Sequence, residues 1–399
     1  MPTFPRFVFW ILLIVTMLQC VHAQQLQLVD QNILQTGAQQ TQAYFPMLKG
    51  KRVGLVTNHT GLIGTTHLTD SLLSSGIKIQ RIFTPEHGFR GNEDAGASVS
   101  SFKDQKTGVD VSSLYGQKKK PTIEDLKDID IICFDLQDVG VRFYTYISTL
   151  TYIMEACAEQ NIPLIVLDRP NPNGFYIDGP VLEAEFKSFV GLHPVPVVYG
   201  LTIGEYAQMV NGEGWLGNGK KCNLTVIKLI GYQRNMLVKL AVKPSPNLPG
   251  WESVYLYPSL CFFEGTIVSV GRGTPTPFEV FGHPALSKGS FSFTPKPMKG
   301  ASKPKLNGEK CYGLNLNEYA KYFQYNKAEL QLNWLIDTHK TLSSANTFFN
   351  NYFDTLAGTA KLRKQIEAGL PADEIRSSWQ DGIDRYKKIR VKYLLYPDK

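Results

Sequence analysis

Short apolar runs alternate with helix-period segments from residue 51 to residue 229, and this alternation constrains the fold more than any other feature of the chain. Lys51 to Asn58, Ile77 to Phe83, Asp130 to Leu136, Pro163 to Leu167 and Leu224 to Leu229 read as buried strands. Thr66 to Ser75, Phe143 to Gln160 and Ile203 to Asn211 read as helices. In the second of these, Tyr146, Ile147, Leu150, Ile153, Met154 and Cys157 share one face. Strand–helix–strand units of this length close as right-handed crossovers, so the expected fold is α/β with a mostly parallel sheet. One long Gly/Ser-rich loop is expected from Glu86 to about Gly116.

The texture changes after about Val242, where Pro244, Pro246, Pro249 and Pro258 interrupt the pattern, followed by Pro275 and Pro277. A smaller α+β domain is expected there, with residues 46–248 as the first domain and 249–399 as the second. In that second part Ile375, Trp379, Ile383 and Tyr386 make a helix face, and Ile389 to Leu395 alternates like a half-buried strand. At the other end, residues 1–23 have the form of a signal peptide: Arg6, an apolar run from Phe7 to Leu18, and Val21-His22-Ala23 before the expected cut. An exported, periplasmic protein follows, the alternatives being a lipoprotein through Cys20 or a secreted protein. The Gln-rich stretch 24–45 reads as a mobile lead-in.

Five cysteines follow Cys20 without any framework spacing, so they read as buried free thiols. The net charge of +7 is dispersed, which argues against nucleic acid. Its one tight cluster, Lys118-Lys119-Lys120, reads as a solvated loop. Gly212-Glu213-Gly214-Trp215-Leu216-Gly217 matches a dinucleotide fingerprint but follows a helix, whereas that fingerprint must follow a strand. No metal-ligand spacing and no nucleophile elbow occur.

Polar clusters sit just past four predicted strands, and in a doubly wound sheet such ends share one edge. They hold Asn58 and His59; Glu86 and His87; Asp135, Gln137, Asp138 and Arg142; then Asp168, Arg169 and Asn173, with Tyr144 and Tyr146 following on the helix. Carboxylates, amides and aromatic rings together suit a sugar, and arginines can clamp a carboxylate in bidentate fashion. For each residue the bland alternative is structural: Asp168-Arg169 as a local ion pair, Asp138 as a helix cap. Glu86, between Pro85 and His87, is the expected general acid.

These segments resemble the NamZ-type exo-β-N-acetylmuramidases, a glycoside hydrolase family formerly of unknown function. The likeness runs from about Lys51 through GLVTNHTG, FTPEHGFRG, FDLQDVGVRFYTY, LDRPNPNG, DGP, YGLTIGEYA and PSPNLP to GTAKLRKQIEAG and KYLLY. It implies a Rossmann-like N-terminal domain, a smaller C-terminal domain and an active cleft between them, with no cofactor. It also implies release of terminal N-acetylmuramic acid from the non-reducing ends of peptidoglycan fragments, and its PEHG motif points to Glu86 as the acid. His87 or His59 would orient that acid. Asp138 and then Glu264 are the candidates for the second catalytic group, unless the substrate's own acetamido group attacks. Arg142, Arg169 or Arg272 would read the lactyl carboxylate of muramic acid. The competing class is a periplasmic sugar- or muropeptide-binding module without catalysis.

Overall fold

The computed structural model describes residues 27–28, 34–86, 88–89, 101–286, 291–321, 328–342 and 347–398. Residues 1–23, the expected signal peptide, lie outside the described residues, as does His87.

The main sheet comprises β1 (Arg52–Thr57), β2 (Lys78–Thr84), β3 (Phe102–Lys103), β4 (Asp110–Ser113), β5 (Ile131–Asp135), β6 (Leu164–Leu167) and β7 (Leu224–Ile227). Across the sheet the order is β7-β6-β5-β1-β2-β4-β3, all parallel except the β3 edge. The chain starts in the middle, builds outward through β2 and β4, then returns to lay β5, β6 and β7 on the other side. This is the doubly wound Rossmann order.

Side chains alternate across this sheet as a pleat requires. Ile132 and Phe134 of β5 face a core built on α3 (Tyr146–Gln160) and α4 (Ile203–Gly212). Their neighbours Ile131 and Cys133 face α1 (Thr41–Leu48) and α2 (Leu68–Ser74). Both faces are covered, which is why the strands read as continuous apolar runs.

The second domain has α5 (Trp251–Leu260), then an antiparallel sheet of β8 (Val280–His283), β9 (Phe291–Phe293) and β10 (Cys311–Asn315) with β10 in the middle. α6 (Tyr352–Ala357) and α7 (Gln380–Arg390) follow. The larger apolar core runs without a break from β5 and α3 into this domain through Phe143, Tyr257 and Phe262. All five described cysteines are buried and free.

Four sequence expectations need correction. The loop expected from Glu86 to Gly116 contains β3 and β4, whose short lengths at a sheet edge leave little periodic signal. The lead-in expected to be mobile to residue 45 is packed from Leu34 onward: Gln35 and Ile230 exchange backbone hydrogen bonds, and Tyr44 is fully buried with its hydroxyl donating to Ala38 O at 2.8 Å. The helix expected from Thr66 begins at Leu68, because Thr66–His67 pairs with Leu62–Ile63 and His67 caps the helix through Thr69 N. The strand expected over Ile389 to Leu395 is the end of α7 followed by a 3-10 turn, Val391–Tyr393. Alternation required Arg390 to face water. It is buried instead, donating through Nε and Nη2 to Gly200 O at 3.0 and 2.9 Å, while Val391 is 62% exposed.

α7 and the tail pack back onto the first domain. Tyr386 donates to Tyr199 O at 2.6 Å, Leu395 N to Glu205 Oε1 at 2.8 Å and Tyr396 to Asp168 Oδ2 at 2.5 Å. Arg234 closes the same buried cluster with a two-pronged bond to Glu205 at 2.7 and 3.0 Å.

Candidate active site

Glu86 leaves the sheet where β2 stops. Pro85 has no N–H to continue the ladder, and Gly88 at φ +73° turns the chain by donating to Pro85 O at 3.2 Å. That positive φ suits glycine. The carboxylate comes to the N-terminal end of α3, where Thr145, its N-cap residue, donates its hydroxyl to Glu86 Oε2 at 3.2 Å. Tyr115, just past β4, lines the same cavity with its phenol beside Glu86. Burial first, and then the Glu86 charge, push the Tyr115 phenol far above its ordinary pKa, so it remains a donor.

The second domain supplies the opposite wall. α5 runs into the 3-10 turn Cys261–Gly265, which presents Glu264. Arg272 Nε donates to Glu264 Oε2 at 3.0 Å, and its guanidinium lies 4.9 Å from the Phe278 ring centroid. Burial disfavours the Arg272 charge, but Glu264 and neighbouring groups outweigh it and its pKa rises. The turn carrying Glu264 is fixed by Lys305, whose ammonium donates to Thr266 O at 2.6 Å and to Phe263 O and Val268 O at 3.1 Å. Phe278 sits at φ +58°, an uncommon conformation for an aromatic residue. Strain of this kind costs on the order of 1–3 kcal/mol and gathers at functional sites. Here it is held by a T-shaped contact with Tyr257, centroids 4.9 Å apart.

Glu86, Glu264 and Arg272 line one cavity of about 230 Å³ between the domains. Tyr144, Tyr115, Phe189, Tyr257 and Tyr352 supply its aromatic walls. Ser245 and Asn247 of the PSPNLP segment close one side. A second cavity, about 220 Å³, lies at the ends of β1, β5 and β6 and is lined by Gln137 and Arg169. There the Arg169 guanidinium is already bound to the buried Asp135 carboxylate, at 2.5 and 2.8 Å. The first cavity is therefore the candidate site, since two glutamates line one space there.

Most other candidates hold the scaffold. Arg142 is fully buried, its Nη1 donating to Pro180 O and Val195 O at 2.8 Å and its Nη2 to Leu356 O and Ala357 O at 3.1 and 2.7 Å. It faces backbone rather than the cavity, and so does Asn173, which donates to Val139 O and Val254 O. Asn58 donates to the Tyr146 hydroxyl at 2.7 Å, and His59 bonds Lys243 O at 2.8 Å. Asp168 caps α4 through Gly204 N at 2.8 Å and accepts from Thr202 and Tyr396. Gln137 donates to Asp138 O and Pro170 O, both at 2.8 Å. Tyr144 lines the cavity while its hydroxyl donates to Pro244 O. Thr145, Tyr115, Phe189, Tyr257 and Tyr352 were not singled out by the sequence, since isolated rings and hydroxyls carry no spacing signal.

Asp138 is 4% exposed, sealed behind the wall, and bound to the Tyr199 hydroxyl and to Gly140 N at 2.7 Å. It does not face the cavity, so the geometry does not support it as the second catalytic group. Burial, opposed by the hydrogen bonds of Tyr199, Gly140 and Val139, pushes its pKa from 3.8 up to about 7. Between those values the folded protein holds a proton that the unfolded chain has lost. Its stabilising contribution is complete below about pH 4 and disappears as pH rises through 7. Asp138→Asn keeps an oxygen for Gly140 N and Tyr199. Urea unfolding is expected to find the variant equal to wild type near pH 4 and more stable by on the order of 2–4 kcal/mol at pH 8. An identical pH dependence in both proteins would rule out a protonated Asp138.

A doubly wound domain meets a smaller α+β domain at a pocket holding two carboxylates, an arginine and several aromatic rings, the class of site that suits a charged sugar. The chain belongs to the NamZ exo-β-N-acetylmuramidase family: its N-terminal family model matches residues 53–252 and its C-terminal model residues 255–396. A peptidoglycan β-N-acetylmuramidase NamZ of Bacillus subtilis (strain 168) is 40% identical over 378 residues, 88% of this chain and 89% of that protein. Two crystal structures of DUF1343 family proteins from Bacteroides fragilis NCTC 9343 share the fold. One has a TM-score of 0.85 at 45% identity, and the other 0.77 at 30%. Each match covers 92% of this chain and 99% of the matched chain.

Proposed function

We propose that this protein is an exo-acting glycosidase that releases terminal N-acetylmuramic acid from the non-reducing ends of peptidoglycan fragments. The observation that carries this reading is the meeting of Glu86, Glu264 and Arg272 in one interdomain cavity of a NamZ-family chain. Glu86, oriented by Thr145, gives its proton to the leaving glycosidic oxygen. Glu264 takes the second role, activating water or orienting the substrate's acetamido group. Arg272 reads the lactyl carboxylate, the group that separates muramic acid from N-acetylglucosamine. Of the three arginines considered, it alone lines the cavity. Such a substrate lies outside the cytoplasm, in keeping with the exported location expected from residues 1–23.

The test is hydrolysis of a chromogenic β-N-acetylmuramide beside the matching β-N-acetylglucosaminide. Release from the first and little from the second is expected, and no release from either would overturn the proposal. Arg272→Met should lower the ratio of kcat/KM for muramide over glucosaminide at least about tenfold, because a half-buried partner for a substrate charge is lost. Using the ratio cancels any shared loss from a displaced Glu264. An unchanged ratio would assign carboxylate recognition elsewhere.

A further inference from the structure

The segment Ser188–Gly191 closes on itself, Ser188 N donating to Gly191 O at 2.9 Å and Gly191 N to Ser188 O at 3.0 Å. Its tip residues, Phe189 and Val190, are half-buried and line the rim of the Glu86 cavity. Tyr152, on α3, lies parallel to the Phe189 ring, centroids 6.1 Å apart and planes 9° apart. Tyr115 leans on the same ring at 5.9 Å. Three elements distant in sequence thus bring three rings together, and all three stay partly open to solvent. Tyr115 joins this patch to the candidate reacting centre, since it lines the same cavity as Phe189 and Glu86.

The lysine cluster flanks the patch. Lys118 pairs with Asp125 at 2.6 Å, and Lys120 with Glu159 and Glu155 at 2.7 and 3.3 Å. These two are structural, which corrects the expectation of a merely solvated loop. Lys119 has no carboxylate partner among the described residues, and its ammonium lies 4.7 Å from the Phe189 centroid. Its positive charge is thus available to a ligand at the rim of an aromatic surface continuous with the cavity.

We infer that Phe189, with Tyr152 and Tyr115, forms an outer subsite for the leaving-group sugar, and that Lys119 attracts the next lactyl carboxylate along the glycan. This rests on the proposed function, since it presumes that a muramic acid unit occupies the inner cavity. The physical basis is continuity and complementarity. A pyranose presents an apolar C–H face to rings, and a glycan freed of its peptides repeats a carboxylate on alternate sugars. An exposed cation at such a rim acts mainly on capture rate and salt dependence.

Three substrates separate the contributions: the β-fluoride of N-acetylmuramic acid, which places no sugar on the patch; the disaccharide; and the tetrasaccharide, which adds a second carboxylate. Phe189→Ala should reduce kcat/KM on the disaccharide at least about tenfold more than on the fluoride, and Phe189→Trp should recover most of that difference. Lys119→Gln should reduce kcat/KM on the tetrasaccharide about fivefold more than on the disaccharide at low salt, a gap that closes at 0.5 M NaCl, where such charges are screened. Equal losses on fluoride and disaccharide in Phe189→Ala, or no loss on either, would overturn the outer subsite. A wild-type protein inert toward all three would instead remove the proposed function, and this inference with it.

Discussion

Replacing Glu86 by Gln is expected to lower kcat at least about 100-fold on the disaccharide, the usual weight of general acid catalysis, with Tm within about 2 °C of wild type. The fold should survive because the amide keeps an oxygen for Thr145. A substrate whose leaving group needs no protonation should suffer less, so the loss on the N-acetylmuramic acid β-fluoride should be much smaller than on the disaccharide. That contrast distinguishes a proton donor from a residue that only shapes the pocket. Near-normal turnover of the disaccharide would remove Glu86 from the acid role.

The second large effect is structural. Arg142→Met removes the donors of four backbone carbonyls and should cost at least about 3 kcal/mol, since each buried acceptor left without a partner is expensive. A fall in Tm of roughly 4 °C or more is expected for a chain of this length. Burial pushes the Arg142 pKa down, yet the four oxygens around it favour the charged form. Two of those oxygens lie at the last turn of α6, the negative end of a helix. Gly358 makes the fit possible: a Cβ there would stand 2.6 Å from Arg142 Nη2. Arg142→Lys should recover only part of the stability, because an ammonium has three donors and lacks the planar fork. Normal Tm with a raised KM would instead make Arg142 a substrate contact.

The alternation of apolar runs was enough to foresee the sheet, because strands covered on both faces leave a plain signal: Ile131 to Asp135 has no exposed position. Helices long enough to cross between strands also foretold a mostly parallel sheet, whereas the order of its strands comes from the structure. The site was only partly legible. Glu86 stands out because Pro85 ends a strand beside it, and the family resemblance marks the same segment. Asp138, Arg142, Asp168 and Asn173 look equally suited to a ligand as residue types. Whether such a side chain faces a cavity or a carbonyl depends on how distant loops close. Arg142 reaches residues 356–357, over 200 positions away in the chain. Tyr115, Phe189 and Tyr352 illustrate the converse, since a ring between turns has no period to betray it. The misplaced final strand has a similar cause: alternating residue types from Ile389 to Leu395 match a strand template, and only the burial of Arg390 against Gly200 shows why the backbone stays helical.

The return of α7 and the tail onto the first domain bears on how the molecule is made. Asp168 and Glu205, both fully buried, draw partners from Tyr396 and Leu395, which leave the ribosome about 190 to 230 residues later. Until then Asp168 is held by Thr202 and Gly204 N and Glu205 by Arg234, but neither carboxylate has its full set of donors, so the layer reaches its final packing only after the tail is made. Completion waits on a distant segment: the Leu395–Tyr396 turn is the keystone of a layer made well before it, and clipping it should loosen a sheet far away in sequence.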